Sequence, residues 1–403
     1  MTAMTTLLPA AALLAAATVL PPHPAAHADS ADAPTASYVV VLKDATTRTP
    51  ARALAAEAAE AGDRVDTVYD TAVNGFAVRT TAARAAALAA DPRVASVEPD
   101  TVYRISDAPR TPERPAAPAS QPQAPWHLDR LDQRALPLDG SYTYPTTGEG
   151  VTVYVVDTGI NTAHQEFGGR ARTGYNALWM EGSADCNGHG THVAGTIGGA
   201  TYGVAKEVSL VGVKVADCRG DARLSHILRG LDWMVKDAFR GGLPLRPAVA
   251  NLSLGGSRSR SMDAAVIRAV AYGITVTVAA GNEGRDACSG SPSGVPQVLT
   301  IAATDAADRH PSFSNHGSCV DLSAPGVAVV SAWKGSKTAL ARATGTSMAA
   351  PHVAGAAALL LAGGTAHSPA QVRAALVRDA APDLITGLPA RTPNRLLHVP
   401  AAD

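Results

Sequence analysis

The sequence predicts an α/β domain, a mostly parallel sheet with helices on both faces, preceded by a small α+β unit. Three observations carry that expectation. Residues 151–156, 208–215, 248–254, 274–280 and 298–302 are apolar, β-branched runs without clean alternation, the pattern of central strands buried on both faces of a parallel sheet. Helical patterns lie between and after them at 192–199, 224–239, 262–272 and in the run following Ser347, and such alternation builds a layered α/β domain. Finally, residues 107–125 carry six prolines among Ala, Ser and Gln, an extended linker that separates this region from the elements upstream.

The 403-residue length allows more than one domain. Hydrophobic residues make up 46% and aromatics only 4%, so the core is mostly Ala, Val and Leu. A net charge of -1 without a long Lys/Arg run gives no electrostatic footprint for nucleic acid or an anionic membrane. Neither is expected as a partner. The four cysteines lack the C-x-x-C spacing of metal knuckles.

Residues 1–28 are expected to be a signal peptide. An apolar segment at 7–20 precedes Pro21-Pro22, and Ala26-His27-Ala28 is an A-x-A cleavage site. The n-region has no Lys or Arg, and the segment is too short and too interrupted by Pro9 to span a bilayer. Within 29–106, strands are expected at 38–42, 73–78 and 94–97, with helices at 50–61 and 82–90. That β-α-β-α-β order suits a small open-faced sheet carrying two helices. Residues 107–123 form the linker, and 124–403 the larger domain. Ligands of such a domain bind beyond the carboxyl ends of the strands.

The chemistry-bearing residues fall in those loops. The strand at 151–156 ends in Asp157-Thr-Gly159, and a buried acid there requires a partner. His189 is flanked by glycines in Asn187-Gly-His-Gly-Thr-His192. Ser347, in Gly345-Thr-Ser-Met-Ala349, enters an apolar helix, where free N–H groups and the helix dipole favour a developing anion. The order Asp157, His189, Ser347 is one of the chain orders a Ser/His/Asp triad takes. An ordinary N-cap explains a lone serine, but not the two partners.

These three motifs resemble those of the subtilases. Thr201-Tyr-Gly-Val-Ala205, Asn251-Leu-Ser-Leu-Gly-Gly256, Ala279-Ala-Gly-Asn282 and Phe313-Ser-Asn-His-Gly317 look like the proteinase K/aqualysin branch of that family. Residues 37–105 resemble its inhibitor-like propeptides. The resemblance implies a secreted serine endopeptidase of broad specificity, made as a precursor and expected to be a monomer. Its partners would be protein and peptide substrates and its own propeptide. Ser347 would be the nucleophile, His189 the base, Asp157 its orienting acid and Asn282 the oxyanion donor.

The resemblance further implies that Gly220, Asp221 and Ala222 on one side, and Ser253, Leu254 and Gly255 on the other, grip an extended substrate as an added strand. Ala279, Ala280 and Gly281 would leave a P1 pocket open to large apolar side chains. It pairs Cys186 with Cys218 and Cys288 with Cys319, consistent with export. It implies one or two structural Ca2+ sites. Asp321 with the carbonyls of Pro296 and Val298 would form one; Asp129, Asp132 and Gln133 would form the other, with Ser141 where the branch often has Asn. Asp221 itself departs from a usually small segment, and Leu224 stands where the branch often has Tyr. A mild preference for Lys or Arg at P3–P4, beside an apolar P4 pocket bounded by Leu224, is the expectation; Asp221 could equally pair with Arg219 or Arg223.

Rival readings are weaker. A non-catalytic peptide binder is disfavoured by the complete set Asp157, His189, Ser347 and Asn282. An α/β-hydrolase esterase needs G-x-S-x-G and Ser before Asp and His. A dinucleotide site needs G-x-G-x-x-G directly after a strand, which Gly188-His-Gly190 lacks. A metal pair from His189 and His192 lacks the H-E-x-x-H glutamate; His164, His226 and His352 read as structural, and the Asn251 sequon as buried and silent.

Overall fold

The computed structural model describes residues 34–43, 51–105, 123–239 and 246–400, together with the backbone of 111–113. The expected signal peptide and nearly all of the linker lie outside the described residues.

The N-terminal elements are β1 (Thr35–Leu42), α1 (Ala51–Glu60), β2 (Arg64–Tyr69), β3 (Gly75–Thr81), α2 (Ala82–Ala90) and β4 (Val94–Pro99). They form an antiparallel sheet of order β2-β3-β1-β4. One face packs on α1 and α2 through Val40, Leu54, Phe76, Val78 and Leu88. The sequence pattern does not announce β2. Arg64, Asp66 and Thr67 interrupt its apolar residues, and its strand character comes from pairing with β3.

The chain then runs through β5 (Val102–Ile105) and β6 (Thr111–Glu113) into α3 (Trp126–Asp132), β7 (Thr152–Asp157), β8 (Ala171–Asn176), α4 (His189–Gly198) and β9 (Ser209–Lys214). Next come β10 (Asp221–Arg223), α5 (Leu224–Ala238), β11 (Ala248–Leu252), β12 (Leu254–Ser257), α6 (Arg260–Ala271), β13 (Thr275–Ala279) and β14 (Gly290–Ser291). The remainder is β15 (Leu299–Thr304), β16 (Leu322–Pro325), β17 (Val329–Ala332), β18 (Leu340–Ala343), α7 (Thr346–Ala362), α8 (Pro369–Asp379), β19 (Ala381–Pro382) and β20 (Arg395–Leu396).

Nine strands form the central sheet, in the order β19-β20-β16-β15-β13-β11-β7-β9-β8. Every described pairing in it is parallel except β19 with β20. All residues of β11, β13 and β15 are buried, as continuous β-branched runs require when helices cover both faces. On one face lie α4 and α7, on the other α5 and α6, each with its own core cluster. The disulfides Cys186–Cys218 and Cys288–Cys319 both form. No described helix is long and apolar enough to cross a membrane.

The two regions meet through carboxylates at helix starts. Glu98 accepts from Ser259 Oγ at 2.7 Å and from the Arg260 N–H at 3.0 Å, at the start of α6. Asp100 accepts from the N–H and Oγ of Ser225, both at 2.8 Å, at the start of α5. Both acids satisfy otherwise unpaired N–H groups at the positive end of a helix dipole. In the other direction, Asp232 of α5 accepts the N–H groups of Thr71 and Ala72 at 2.7 and 2.9 Å.

Candidate functional site

Asp157 is the last residue of β7, fully buried beneath the carboxyl edge of the sheet. Its Oδ1 and Oδ2 lie 2.8 and 2.9 Å from His189 Nδ1, and Oδ1 also accepts the Thr158 N–H at 2.7 Å. His189 opens α4, whereas the sequence pattern started that helix at residue 192. Its two glycines look like breakers but serve the site. A Cβ on Gly190 would stand 2.2 Å from the Gly159 carbonyl oxygen, so only glycine lets the helix approach the loop after β7 this closely. Asp185, which no sequence motif singles out, ties the corner together. It accepts the Gly188 N–H at 2.7 Å, Thr191 Oγ1 at 2.6 Å and Thr158 Oγ1 at 2.9 Å.

Ser347 is the second residue of α7, behind Gly345 at φ 151°, a conformation that a side chain disfavours. Pro351 lies inside the helix and has no N–H for the carbonyl four residues back. That carbonyl, of Ser347 itself, accepts Ser253 Oγ at 2.8 Å instead. The Ser347 hydroxyl donates to the Ser253 carbonyl at 3.1 Å. It does not bond to His189, whose Nε2 is buried without a partner among the described residues. Asp157 and His189 are therefore joined, and Ser347 is turned toward β12.

Asn282 follows the buried pair Ala279 and Ala280 and the turn residue Gly281. Its Oδ1 accepts both the N–H and the Oγ1 of Thr346, each at 2.9 Å, and Thr346 Oγ1 also accepts the Gly281 N–H at 3.1 Å. The loop after β13 is thus fastened to the residue before Ser347.

The cleft between β10 and β12 holds a strand of the chain itself. In antiparallel pairing, β5 sets Arg104 opposite both Asp221 and Gly255, with Tyr103 opposite Ala222 and Ile105 opposite Leu254. Its side chains alternate as a strand requires. Tyr103 and Ile105 are 2% and 6% exposed and share a core cluster with Ala222, Leu224 and Leu254, while Tyr103 Oη donates to the Ser257 carbonyl at 3.0 Å. Arg104 points outward, its Nε 2.8 Å from Asp221 Oδ1.

The two expected cation sites differ. Asp129 and Asp132 each keep one buried carboxylate oxygen without a partner, while the other accepts the N–H of Gly140 and Thr143 respectively. Burial pushes both carboxyls up. Asp139, absent from the set expected from the sequence, lies close enough to add to that shift, and the Gln133 side chain bonds it. A hard cation would satisfy oxygens left unpaired in this way. At Asp321 the guanidinium of Arg373 reaches both Asp321 and the Pro296 carbonyl.

Three buried histidines surround α4 and α7. His192 Nε2 donates to the carbonyls of Val329 and Ala341 at 3.0 and 3.2 Å, which makes it a structural bond between α4, β17 and β18. His127 Nδ1 lies 2.8 Å from His352 Nε2, and His352 Nδ1 2.8 Å from the Met348 carbonyl. Desolvation lowers His192 to about 3 and His352 to about 4, and drives His127 well down. In the unfolded chain these groups titrate near 6.5, so that state binds more protons between about 6.5 and the folded values. Stability is accordingly full above about pH 6.5 and falls as pH drops through this window, by about 1.4 kcal/mol per pH unit per group. Urea unfolding of the uncut Ser347→Ala chain between pH 7 and 4 should show this slope, reduced by about one proton in His352→Gln. An unaltered slope in that variant would refute the assignment. The Asn251 side chain is fully buried and donates to Ser253 Oγ at 2.9 Å, so its sequon is closed to modification.

Fold and site together define a peptidase architecture, and comparison with known proteins gives the family. Residues 148–398 match the model of the subtilase family and residues 25–106 that of the peptidase inhibitor I9 family. The chain belongs to the subtilase family and is a serine peptidase of subtilisin type with an inhibitor-like propeptide. It is 50% identical over 84% of its length to an extracellular serine proteinase of Thermus sp. (strain Rt41A), covering 78% of that protein. It is 45% identical over 83% of its length to alkaline serine exoprotease A of Vibrio alginolyticus, covering 60% of that protein. A crystal structure of a cold-adapted subtilisin-like serine proteinase superposes with a TM-score of 0.65 at 46% identity, covering 69% of this chain and 98% of that one.

Proposed function

We propose that this chain is the precursor of an extracellular serine endopeptidase that matures by cutting itself. The observation that carries this reading is β5, seated in the cleft as a substrate-like strand whose pairing runs toward Ser347. In the reaction, Ser347 Oγ turns from the Ser253 carbonyl, gives its proton to His189 Nε2 and bonds to the scissile carbonyl carbon. Asp157 holds the imidazole through Nδ1 and stabilises its charged form. Asn282 Nδ2 donates to the developing oxyanion. Collapse breaks the C–N bond as His189 returns the proton to the leaving amine, and water then releases the acyl group by the same steps. Broad specificity with a large apolar P1 residue follows from the small side chains of Ala279, Ala280 and Gly281. Residues 29–106 act as folding assistant and inhibitor, 1–28 direct export, and 124–403 form the peptidase domain.

Asp129 and Asp132, with Gln133 and Asp139 beside them, would hold a structural calcium ion, which would neutralise one buried and one half-buried carboxylate of α3. A fluorophosphonate probe tests the catalytic reading. One equivalent should abolish hydrolysis of casein by the secreted enzyme, with the adduct located on Ser347 by mass spectrometry. An adduct elsewhere, or full activity after labelling, would remove Ser347 from the mechanism.

The contact between Arg104 and Asp221 supports a preference for Lys or Arg at the substrate position that Arg104 occupies, with an apolar residue in the Tyr103 position. The pair is exposed, so the preference should be worth about 0–1 kcal/mol, at most roughly fivefold in kcat/KM. It should fade with added salt. Peptide libraries profiled with wild type and Asp221→Ser at low ionic strength should differ at that position alone; identical profiles would leave Asp221 without a role in selection.

A further inference from the structure

The resemblance places calcium between Asp321 and the carbonyls of Pro296 and Val298, but a side chain from elsewhere in the fold reaches two of those groups. Helix α8 is fixed in register by the Ser368 cap, whose Oγ accepts the Gln371 N–H at 3.3 Å, and by burial of Val372, Ala375 and Leu376. That register sends Arg373 along the edge of the sheet. One terminal nitrogen of its guanidinium donates to the Pro296 carbonyl and the other to Asp321 Oδ1. Asp321 Oδ2 accepts the Thr300 N–H at 2.9 Å. Both oxygens of this acid, whose side chain is 8% exposed, are therefore taken. Asp129 and Asp132 contrast with it, since each keeps a buried oxygen unpaired.

We propose that Arg373 is an internal cation that stands in for a metal ion, so that the Asp321 site binds no calcium while the guanidinium is present. A calcium ion needs six to eight oxygen ligands about it. Here the lone pairs of two oxygens already receive N–H hydrogens from a group that carries a permanent positive charge. Cation and guanidinium exclude each other by space and by charge. The planar fork of arginine suits the replacement, because it binds two acceptors at once where lysine offers a single point charge. An attached cation is also independent of supply. Stabilisation by a bound ion grows with its free concentration and vanishes in chelator, whereas Arg373 can be neither diluted nor extracted. Removing the guanidinium uncovers an oxygen cradle open to a divalent ion.

Calorimetric titration with calcium chloride, on metal-stripped precursor carrying Ser347→Ala to prevent self-digestion, tests this through differences in the number of ions bound. Asp321→Ala should leave the count of the parent unchanged. Arg373→Ala should raise it by one, and adding Asp321→Ala to Arg373→Ala should return it to the parental value. Arg373→Lys should stay at the parental count. These differences hold whether or not the Asp129–Asp132 pair binds an ion, because that pair is common to all the variants. A count lowered by Asp321→Ala alone would mean that a metal already sits there and would overturn the proposal. So would an Arg373→Ala protein that gains no ion. Should Arg373→Ala fold only with calcium present, its melting temperature should fall in chelator while that of Arg373→Lys holds; equal losses in the two would likewise overturn it.

Discussion

Ser347→Ala is expected to leave the precursor whole and without proteolytic activity. The hydroxyl lies at the start of α7, next to the cleft that β5 fills, and no other described hydroxyl occupies that position. Loss of the nucleophile in subtilisin lowers kcat by about 10⁶; that value belongs to the relative and sets the scale of the loss expected here. The cut itself can be located by register. Ile105, the last described residue of β5, pairs with Leu254 in antiparallel sense, beside Ser253, whose carbonyl accepts from the Ser347 hydroxyl. The chain shortly beyond Ile105 is therefore where the cut is expected. Mass spectrometry of the secreted products should find a new N-terminus between Ile105 and Ala124 for wild type and an uncut chain for the variant. Traces of active enzyme added to the variant should restore cleavage within 107–123. Normal trimming of Ser347→Ala in a protease-free host would assign maturation to another enzyme.

Asn282→Ala is the second large effect expected, and it should fall on kcat. Both donors of Thr346 claim Oδ1, which fixes the plane of the amide and leaves Nδ2 as its opposite, donating end. A group set in this way before the reaction begins would stabilise an oxyanion without reorganising. Removing the equivalent donor in subtilisin costs about 10²–10³ in kcat, or roughly 2.7–4 kcal/mol, and a similar loss with little change in KM is expected here. Asn282→Asp should do no better, because it keeps the acceptor for Thr346 but sets a carboxylate where the donor was. Unchanged kcat in Asn282→Ala would exclude the residue from catalysis.

The large domain was legible because its strands are buried on both faces and write themselves as unbroken β-branched runs. The motif residues were legible because they cluster in short Gly-rich stretches at strand ends. What escaped was decided by distant partners. Strand β2 owes its form to β3, and α4 begins at His189 because Asp185 gathers the N–H groups of that corner. Arg373 looks like any polar residue on a surface helix, and its meaning comes from Asp321, separated from it by 52 positions. Asp139 carries no motif either; its influence on Asp129 and Asp132 comes from where the loop after α3 folds.

If the chain matures by cutting itself, the strand in the cleft would also set the timing of activation. Cutting the chain beyond Ile105 removes one covalent bond, but it leaves every β5 hydrogen bond, the Glu98 and Asp100 caps and the Asp232 contacts intact. Under the proposed self-cleavage, each newly cut molecule would begin blocked by its own product. The first molecule to shed that fragment can digest those held by others, so the conversion feeds itself. A pure precursor population should stay quiet for a lag and then switch on together. A small inoculum of mature enzyme should shorten the wait without altering the final yield. Activity would in this sense be a threshold reached by a population, its clock the dissociation of a folded fragment.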